Sequence, residues 1–331
     1  MTTAGSQRGT GTTYGFLGLG SMGSPMAGHL ADHCRTSDGT LLVWNRSPGR
    51  YPAVVAKGAR TVDRAAELAE GADVVFVMLP DLPDLEQLTD GPEQLLAGVT
   101  STTVLVICSS VSPAGVRAYA EHVRAISSGL VRVVDAPVSG GAEGAQAATL
   151  AVMVGGAEDD VAKAWDALGA MASTVRHLGD LGAGSLAKAC NQMVVAATMV
   201  ALSEATVLAE SAGLSVPGLL EILAGGFGNS RVLEVKTPHL IAGSYRPTGV
   251  ARYMVKDLGF VQVEAARTGA PVRQAMLSAE LFADVVAAHL GDLDVSVVHG
   301  LIRATAGLAA LPTSDQADDG TIESTSTKEM T

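Results

Sequence analysis

Three glycines, Gly18-x-Gly20-x-x-Gly23, stand directly after the β-rich run Tyr14-Gly-Phe-Leu17 and open a helical pattern whose apolar side includes Met22, Met26 and Leu30. In that setting Gly18 permits a tight turn, Gly20 lets the backbone approach a pyrophosphate, and Gly23 lets the helix pack close to the strand. Phosphates would then sit on the free N–H groups of the helix start, making Gly18, Leu19, Gly20, Ser21, Met22 and Gly23 candidate contacts of a dinucleotide. At the end of the next strand an NAD site places an acid on the ribose 2′-hydroxyl; here the residues are Asn45, Arg46 and Ser47. They remove the anion and supply a guanidinium and a hydroxyl, the groups a 2′-phosphate needs, so NADP(H) is expected in preference to NAD(H). Hydride chemistry also needs a proton donor. The nearest approach to Tyr-x-x-x-Lys, Tyr253 with Lys256, has the wrong spacing, and the seven histidines are scattered without a zinc pattern. A second glycine pattern, Gly182-x-Gly184-x-x-Ala187, precedes no further strand and is read as a hinge.

These residues need a frame. From Tyr14 to about Val175 short apolar runs at 40 to 44, 73 to 79, 102 to 108, 130 to 135 and 150 to 154 alternate with helical patterns, which argues a parallel, doubly wound Rossmann-type α/β sheet. Beyond Gly182 the strand signals stop, and helical stretches carry apolar residues on nearly every face. Gly213, Pro217, Gly225-Gly226, Pro238, Pro247 and the 269 to 271 stretch should cut this half into five to seven helices. The expected domains are a mobile N-terminus (1–13), a dinucleotide-binding domain (14–178), an all-α domain for substrate and dimerisation (179–312), and a disordered acidic tail (313–331).

At 331 residues the chain is long enough for two domains of roughly 150 each. Its formal charge of -12 repels phosphate backbones and anionic lipid surfaces, so neither nucleic acid nor a membrane is an expected partner. Cys34, Cys108 and Cys190 lie far apart and fit unpaired buried thiols in a reducing compartment, and no secretory pattern opens the sequence; a cytoplasmic protein is expected. The run Met193 to Leu202 is well short of the ~20 residues that span a bilayer, and reads as a buried helix.

The glycine fingerprint, then Asp135-Ala-Pro-Val-Ser-Gly-Gly141, then Gly182-Ala-Gly-Ser-Leu-Ala-Lys188-Ala-Cys-Asn191-Gln192, then Lys256-Asp-Leu258, resemble in order and spacing the four signatures of the β-hydroxyacid dehydrogenase family. The resemblance runs from about Tyr14 to Leu311. It implies that Ser139, Gly140 and Gly141 hold a substrate carboxylate, and the two glycines can indeed aim successive N–H groups at one anion. It also implies that Lys188 is the general acid and base. Asn191 and Gln192, three and four residues on, would flank it on one helix face and bind substrate. No charged side chain lies between Lys188 and Glu204, so a merely solvated lysine fits this stretch poorly. Met78, Leu79, Pro80, Ser110 and Lys256 would line the nicotinamide half of the cofactor.

Two departures bear on the substrate. Many relatives have an acid where Ile107 stands and an aromatic around 249 to 250, where this chain has Gly249-Val250. Asn-Gln at 191 and 192 resembles the tartronate semialdehyde branch. The expected function is an NADP(H)-dependent β-hydroxyacid dehydrogenase, working mainly as a reductase of a small carboxylate-bearing aldehyde to the hydroxy acid, assembled as a homodimer or tetramer. The alternatives are an imine reductase-like activity on the same fold and a non-catalytic NADP(H)-binding module. A decarboxylating relative would carry His where Cys190 stands.

Overall fold

The structure is a computed structural model that describes residues 11–313; the expectations for residues 1–10 and 314–331 lie outside the described residues. Thr13, assigned above to the N-terminal segment, is the first residue of a strand. The chain forms two compact units: the first runs to Gln192 and takes in Phe260–Ala270, and the second comprises Met193–Gly259 and the chain from Pro271.

In the first unit the parallel strands β1 (Thr13–Leu17), β2 (Thr40–Trp44), β3 (Arg60–Thr61), β4 (Val74–Val77), β5 (Thr103–Ile107) and β6 (Val131–Asp135) lie in the order β3-β2-β1-β4-β5-β6. The crossovers are α1 (Gly23–Thr36), α2 (Pro52–Val55), α3 (Ala65–Gly71), α4 (Leu82–Asp90) and α5 (Pro113–Ile126). Because side chains alternate along a strand, a sheet covered on both faces needs apolar residues at nearly every position. Phe16, Val43, Phe76 and Val106 pack with Met26 and Leu30 of α1 on one face. Leu17, Val75, Val77, Leu105 and Ile107 pack with Leu68 of α3 and with Val116 and Tyr119 of α5 on the other.

After β6 the chain leaves this sheet. The elements that follow are β7 (Val138–Ser139), α6 (Gly141–Gln146), β8 (Leu150–Val154), α7 (Glu158–Met171) and β9 (Ala172–His177), with the three strands forming a separate sheet β7-β8-β9. The run at 150 to 154, read above as another strand of the parallel sheet, therefore belongs to this second sheet, antiparallel to β7. Its departure is fixed by reciprocal backbone bonds between Asp135 and Gly155, 3.0 and 2.8 Å long, which fold the chain back at the end of β6. The two-residue strands β3 and β7 carry too short a pattern to read from sequence.

Helix α8 (Ala183–Ser211) begins in the first unit and ends in the second, so the two compact units part within it, at Gln192. It is followed by α9 (Val216–Gly225), α10 (Arg231–Ala242), α11 (Arg252–Thr268), α12 (Arg273–Ala287) and α13 (Val297–Thr305), making six helices beyond Gly182 among the described residues. Pro238, expected to cut the chain, lies inside α10, where it removes one helix bond without ending the helix. With 29 residues and a mean hydropathy of 1.6 over its most apolar window, α8 has the length and composition to cross a membrane, contrary to the shorter run counted above; 44% of that window is buried within the fold. Ser203 and Thr206 satisfy their hydroxyls on the carbonyls of Met199 and Leu202, 2.7 and 2.9 Å away.

Candidate active site

The glycine turn lies past the end of β1, beside β4, where the strand order reverses and where open α/β sheets bind ligands. Gly18 has φ +96°, and a Cβ there or at Gly23 would overlap the carbonyl of Met78 or of Gly18 respectively. A Cβ on Gly20 would meet nothing within 4 Å. Two of the glycines therefore close the turn, and the third keeps its outer side open. Helix α1 has Met22 as N-cap with no capping side chain and no acid in its first turn; Ser24 N donates to Gly20 O at 3.0 Å and Pro25 has no N–H, so the amides that remain for an external anion lie no further along than Gly23. These features fit the pyrophosphate of a dinucleotide.

Around this turn lie the ends of β2, β4 and β5. Asn45 Oδ1 accepts from Leu19 N at 2.9 Å and Asn45 Nδ2 donates to the Ser47 carbonyl at 2.8 Å. The Tyr51 hydroxyl, 2.9 Å from both backbone groups of Asn45, completes the anchorage. Asn45 thus spends its amide on shaping the loop, and the exposed side chains of Arg46 and Ser47 are presented from a fixed base. Met78 N extends the ladder to Leu17 O, while Leu79 N donates to Ser109 Oγ at 2.9 Å, placing Leu79 and Pro80 beside the half-buried Ser110. Sequence reasoning assigned no role to Ser109 or Tyr51.

The second half of the site starts at Asp135. Its side chain is fully buried, Oδ1 accepting from Gly182 N at 2.8 Å and Oδ2 from Ser185 N at 2.5 Å. Burial pushes this carboxyl above its ordinary pKa, opposed by the same N–H donors. Four residues on, Ser139 pairs with Ala151, and Gly140 (φ +137°) and Gly141 (φ +64°) lead into α6. Both glycines adopt a backbone that other residues rarely take, and the resulting turn can point consecutive N–H groups outward. The exposed Glu143 carboxylate lies 3.0 Å from where a Cβ of Gly141 would stand.

The segment read above as a hinge is clamped. Gly182 (φ +93°) donates to Asp135 and has Arg117 Nη1 where a Cβ would stand; Arg117 in turn pairs at 3.5 Å with Glu264, which is 4% exposed. From this anchored start α8 carries Lys188, Asn191 and Gln192, all partly buried and all in the first unit. Asn191 Oδ1 is buried without a hydrogen-bond donor among the described residues, the kind of vacancy a ligand N–H or O–H fills. Cys190 is exposed, which corrects the expectation of three buried thiols: between Lys188 and Asn191 the helix turns that position outward. Burial pushes the Cys34 and Cys108 thiols up to about 11 and about 12.

Lys256 belongs to the second unit. Its ammonium lies 5.9 Å from the Tyr253 ring, on the first turns of α11. The loop before that helix is held by the fully buried Asp294, which accepts from Thr248 Oγ1 at 2.8 Å, from Gly249 N at 3.1 Å and from Lys236 Nζ at 2.8 Å. Burial opposes the charge on Asp294, but Lys236 and the hydrogen bonds prevail and bring its pKa down to about 2.

Comparison with known proteins identifies the family. A profile described as the NAD-binding domain of 6-phosphogluconate dehydrogenase matches residues 13–179, and one described as the NAD-binding region of NADP-dependent 3-hydroxyisobutyrate dehydrogenase matches 182–302. A probable 3-hydroxyisobutyrate dehydrogenase of Mycobacterium tuberculosis is 36% identical over 305 residues, 89% of this chain and 99% of that protein. The chain belongs to the β-hydroxyacid dehydrogenase family. An NAD-dependent L-serine dehydrogenase of Pseudomonas aeruginosa is 34% identical over 300 residues, 88% of this chain and 98% of that one. The solved structure of a Mycobacterium tuberculosis 3-hydroxyisobutyrate dehydrogenase with L-serine has a TM-score of 0.75 at 34% identity, over 89% of this chain and 100% of that chain. As a β-hydroxyacid dehydrogenase the protein is a nicotinamide-dependent oxidoreductase that acts on hydroxyl groups.

Proposed function

We propose that this dehydrogenase works mainly as an NADPH-dependent reductase of a small aldehyde acid, such as tartronate, glyoxylate or succinic semialdehyde, with Lys188 as its general acid and base. The observation that carries the reading is that one residue, Asp135, starts the segment leading to the Ser139–Gly141 turn and caps the helix that bears Lys188. A bound reduced nicotinamide supplies the hydride. Ser139 and the N–H groups of Gly140 and Gly141 hold the substrate carboxylate, which orients the aldehyde. Lys188 Nζ gives a proton to the carbonyl oxygen as negative charge develops there, and takes it back in oxidation. The orphaned Asn191 Oδ1 and the neighbouring Gln192 are suited to substrate hydroxyls. Gly18 to Gly23 hold the pyrophosphate, Arg46 and Ser47 the adenosine end, and Met78, Leu79, Pro80 and Ser110 the nicotinamide end. A screen of NADPH oxidation with glyoxylate, succinic, tartronate and methylmalonate semialdehydes and a cyclic imine should give its fastest turnover with one of the aldehyde acids. Turnover with the imine alone, or with none of them, contradicts the reading.

The proposed protein is cytoplasmic and assembles with itself. Val194 and Leu208 of α8, with Ile222 and Leu277, are large apolar side chains more than half exposed, all within the second unit. Such surface is costly in water and self-association removes it. Light scattering at micromolar concentration should give at least twice the 33.6 kDa chain mass; the chain mass itself would exclude the assembly.

A further inference from the structure

A helix that starts with Gly-Ala-Gly-Ser has no side chain at its N-cap to satisfy its first N–H groups. In α8 the cap position is Gly182, since Leu186 N donates to Gly182 O at 3.0 Å. In an ordinary capping box two side chains of the helix itself bond the N-cap and N3 amides. Here both of those amides, Gly182 N and Ser185 N, are taken by the single carboxylate of Asp135, which arrives from the end of β6. The fit is close on every side. A Cβ on Gly184 would overlap the Met153 carbonyl and crowd the Asp135 carbonyl, and one on Gly155 would crowd Asp135 Oδ1 and the Gly184 amide. The first turn of α8 can therefore neither roll nor slide without breaking a buried bond or meeting backbone.

Lys188 follows Ser185 by three residues, which places it on nearly the same helix face and about 4.5 Å further along the axis. Asp135 is also four residues ahead of Ser139, with its backbone locked to Gly155. We propose that Asp135 is a positioning residue for the reaction: its buried carboxylate sets the roll and height of α8, and thereby the place of the Lys188 ammonium relative to the Ser139–Gly141 turn. This inference rests on the proton-donor reading of Lys188. It adds a residue that touches neither substrate nor cofactor and acts through α8, whose Lys188 governs kcat while Asn191 and Gln192 on the same helix bear on the KM for the aldehyde acid.

The test is a double-mutant cycle on the full-length enzyme with NADPH and the best aldehyde acid. Asp135→Asn keeps size and one acceptor but turns an N–H donor toward one of the two helix amides. A displacement on the scale of 1 Å is enough to lower kcat by about 10- to 100-fold, with the KM for NADPH within about twofold of the unmutated enzyme. In the Lys188→Ala background the same substitution should change kcat by less than about twofold, because there is no longer an ammonium to misplace. Should Asp135→Asn not fold, Asp135→Ser, which keeps one hydroxyl acceptor in a smaller side chain, carries the same comparison. Equal losses in both backgrounds, or a parallel loss of NADPH affinity, would mark Asp135 as a structural residue only and overturn the inference while leaving Lys188 as donor. Undiminished kcat in Lys188→Ala alone would remove the reading beneath it.

Discussion

Exchange of Arg46 for Asp is expected to reverse the cofactor preference of the enzyme, lowering kcat/KM for NADPH by about 10- to 150-fold with little loss for NADH. The range corresponds to a charge-assisted contact of roughly 1.5 to 3 kcal/mol. Several features support the size of this effect. Arg46 is exposed, so forming the contact displaces only solvent from the guanidinium. Asn45 before it is held by Leu19 and Tyr51, and the Ser47 carbonyl after it accepts from Asn45 Nδ2, so little ordering cost falls on binding. The aspartate also restores the acid that accepts from a ribose 2′-hydroxyl and repels a 2′-phosphate. Steady-state kinetics with both cofactors decide the matter: equal kcat/KM for NADH and NADPH in the unmutated enzyme would exclude the assigned role.

The parallel sheet was legible because a strand covered on both faces must be apolar throughout, and VVFV at 74 to 77 and TVLVI at 103 to 107 meet that requirement without ambiguity. The three-stranded sheet was not. Its strand β9, Ala-Ser-Thr-Val-Arg-His, has no fully buried residue and no clean alternation, and the switch of β8 out of the main sheet depends on the Asp135 to Gly155 backbone pair, a contact between residues twenty apart. Pro238 shows a related limit, for a proline marks a broken helix bond but not whether the helix resumes beyond it.

The glycine turn was legible at Gly18 and Gly23, where a Cβ would overlap a backbone carbonyl, whereas Gly20 faces open space. Asp135 was visible only as the first letter of a motif. A signal for it did exist in the helix start Gly182-Ala-Gly, which lacks a capping side chain and so demands an acceptor from elsewhere. Which residue supplies that acceptor is a long-range fact, since Asp135 and Gly182 are 47 positions apart. Asn45 illustrates the converse. Its position at the end of β2 suggested a ligand contact, and the structure shows its amide engaged within the loop.

Lys188→Ala carries the largest expected effect and bears on the central claim. When hydride reaches the carbonyl carbon, charge gathers on oxygen, and a positioned donor typically contributes 10²- to 10⁴-fold to the rate. Lys188 stands one turn into a helix whose start is fixed by buried hydrogen bonds, and no other charged residue lies on α8 before Glu204. The glycine turn proposed to hold the pyrophosphate is untouched by the substitution, so cofactor affinity should be preserved. The direct measurement is single-turnover oxidation of bound NADPH by the best aldehyde acid, compared between the unmutated enzyme and Lys188→Ala, with NADPH affinity titrated in parallel. The result expected is a hydride-transfer rate at least about 100-fold lower in the variant, near 2.7 kcal/mol of transition-state stabilisation, at unchanged NADPH affinity. A variant that retains most of the single-turnover rate would contradict the assignment and require another donor.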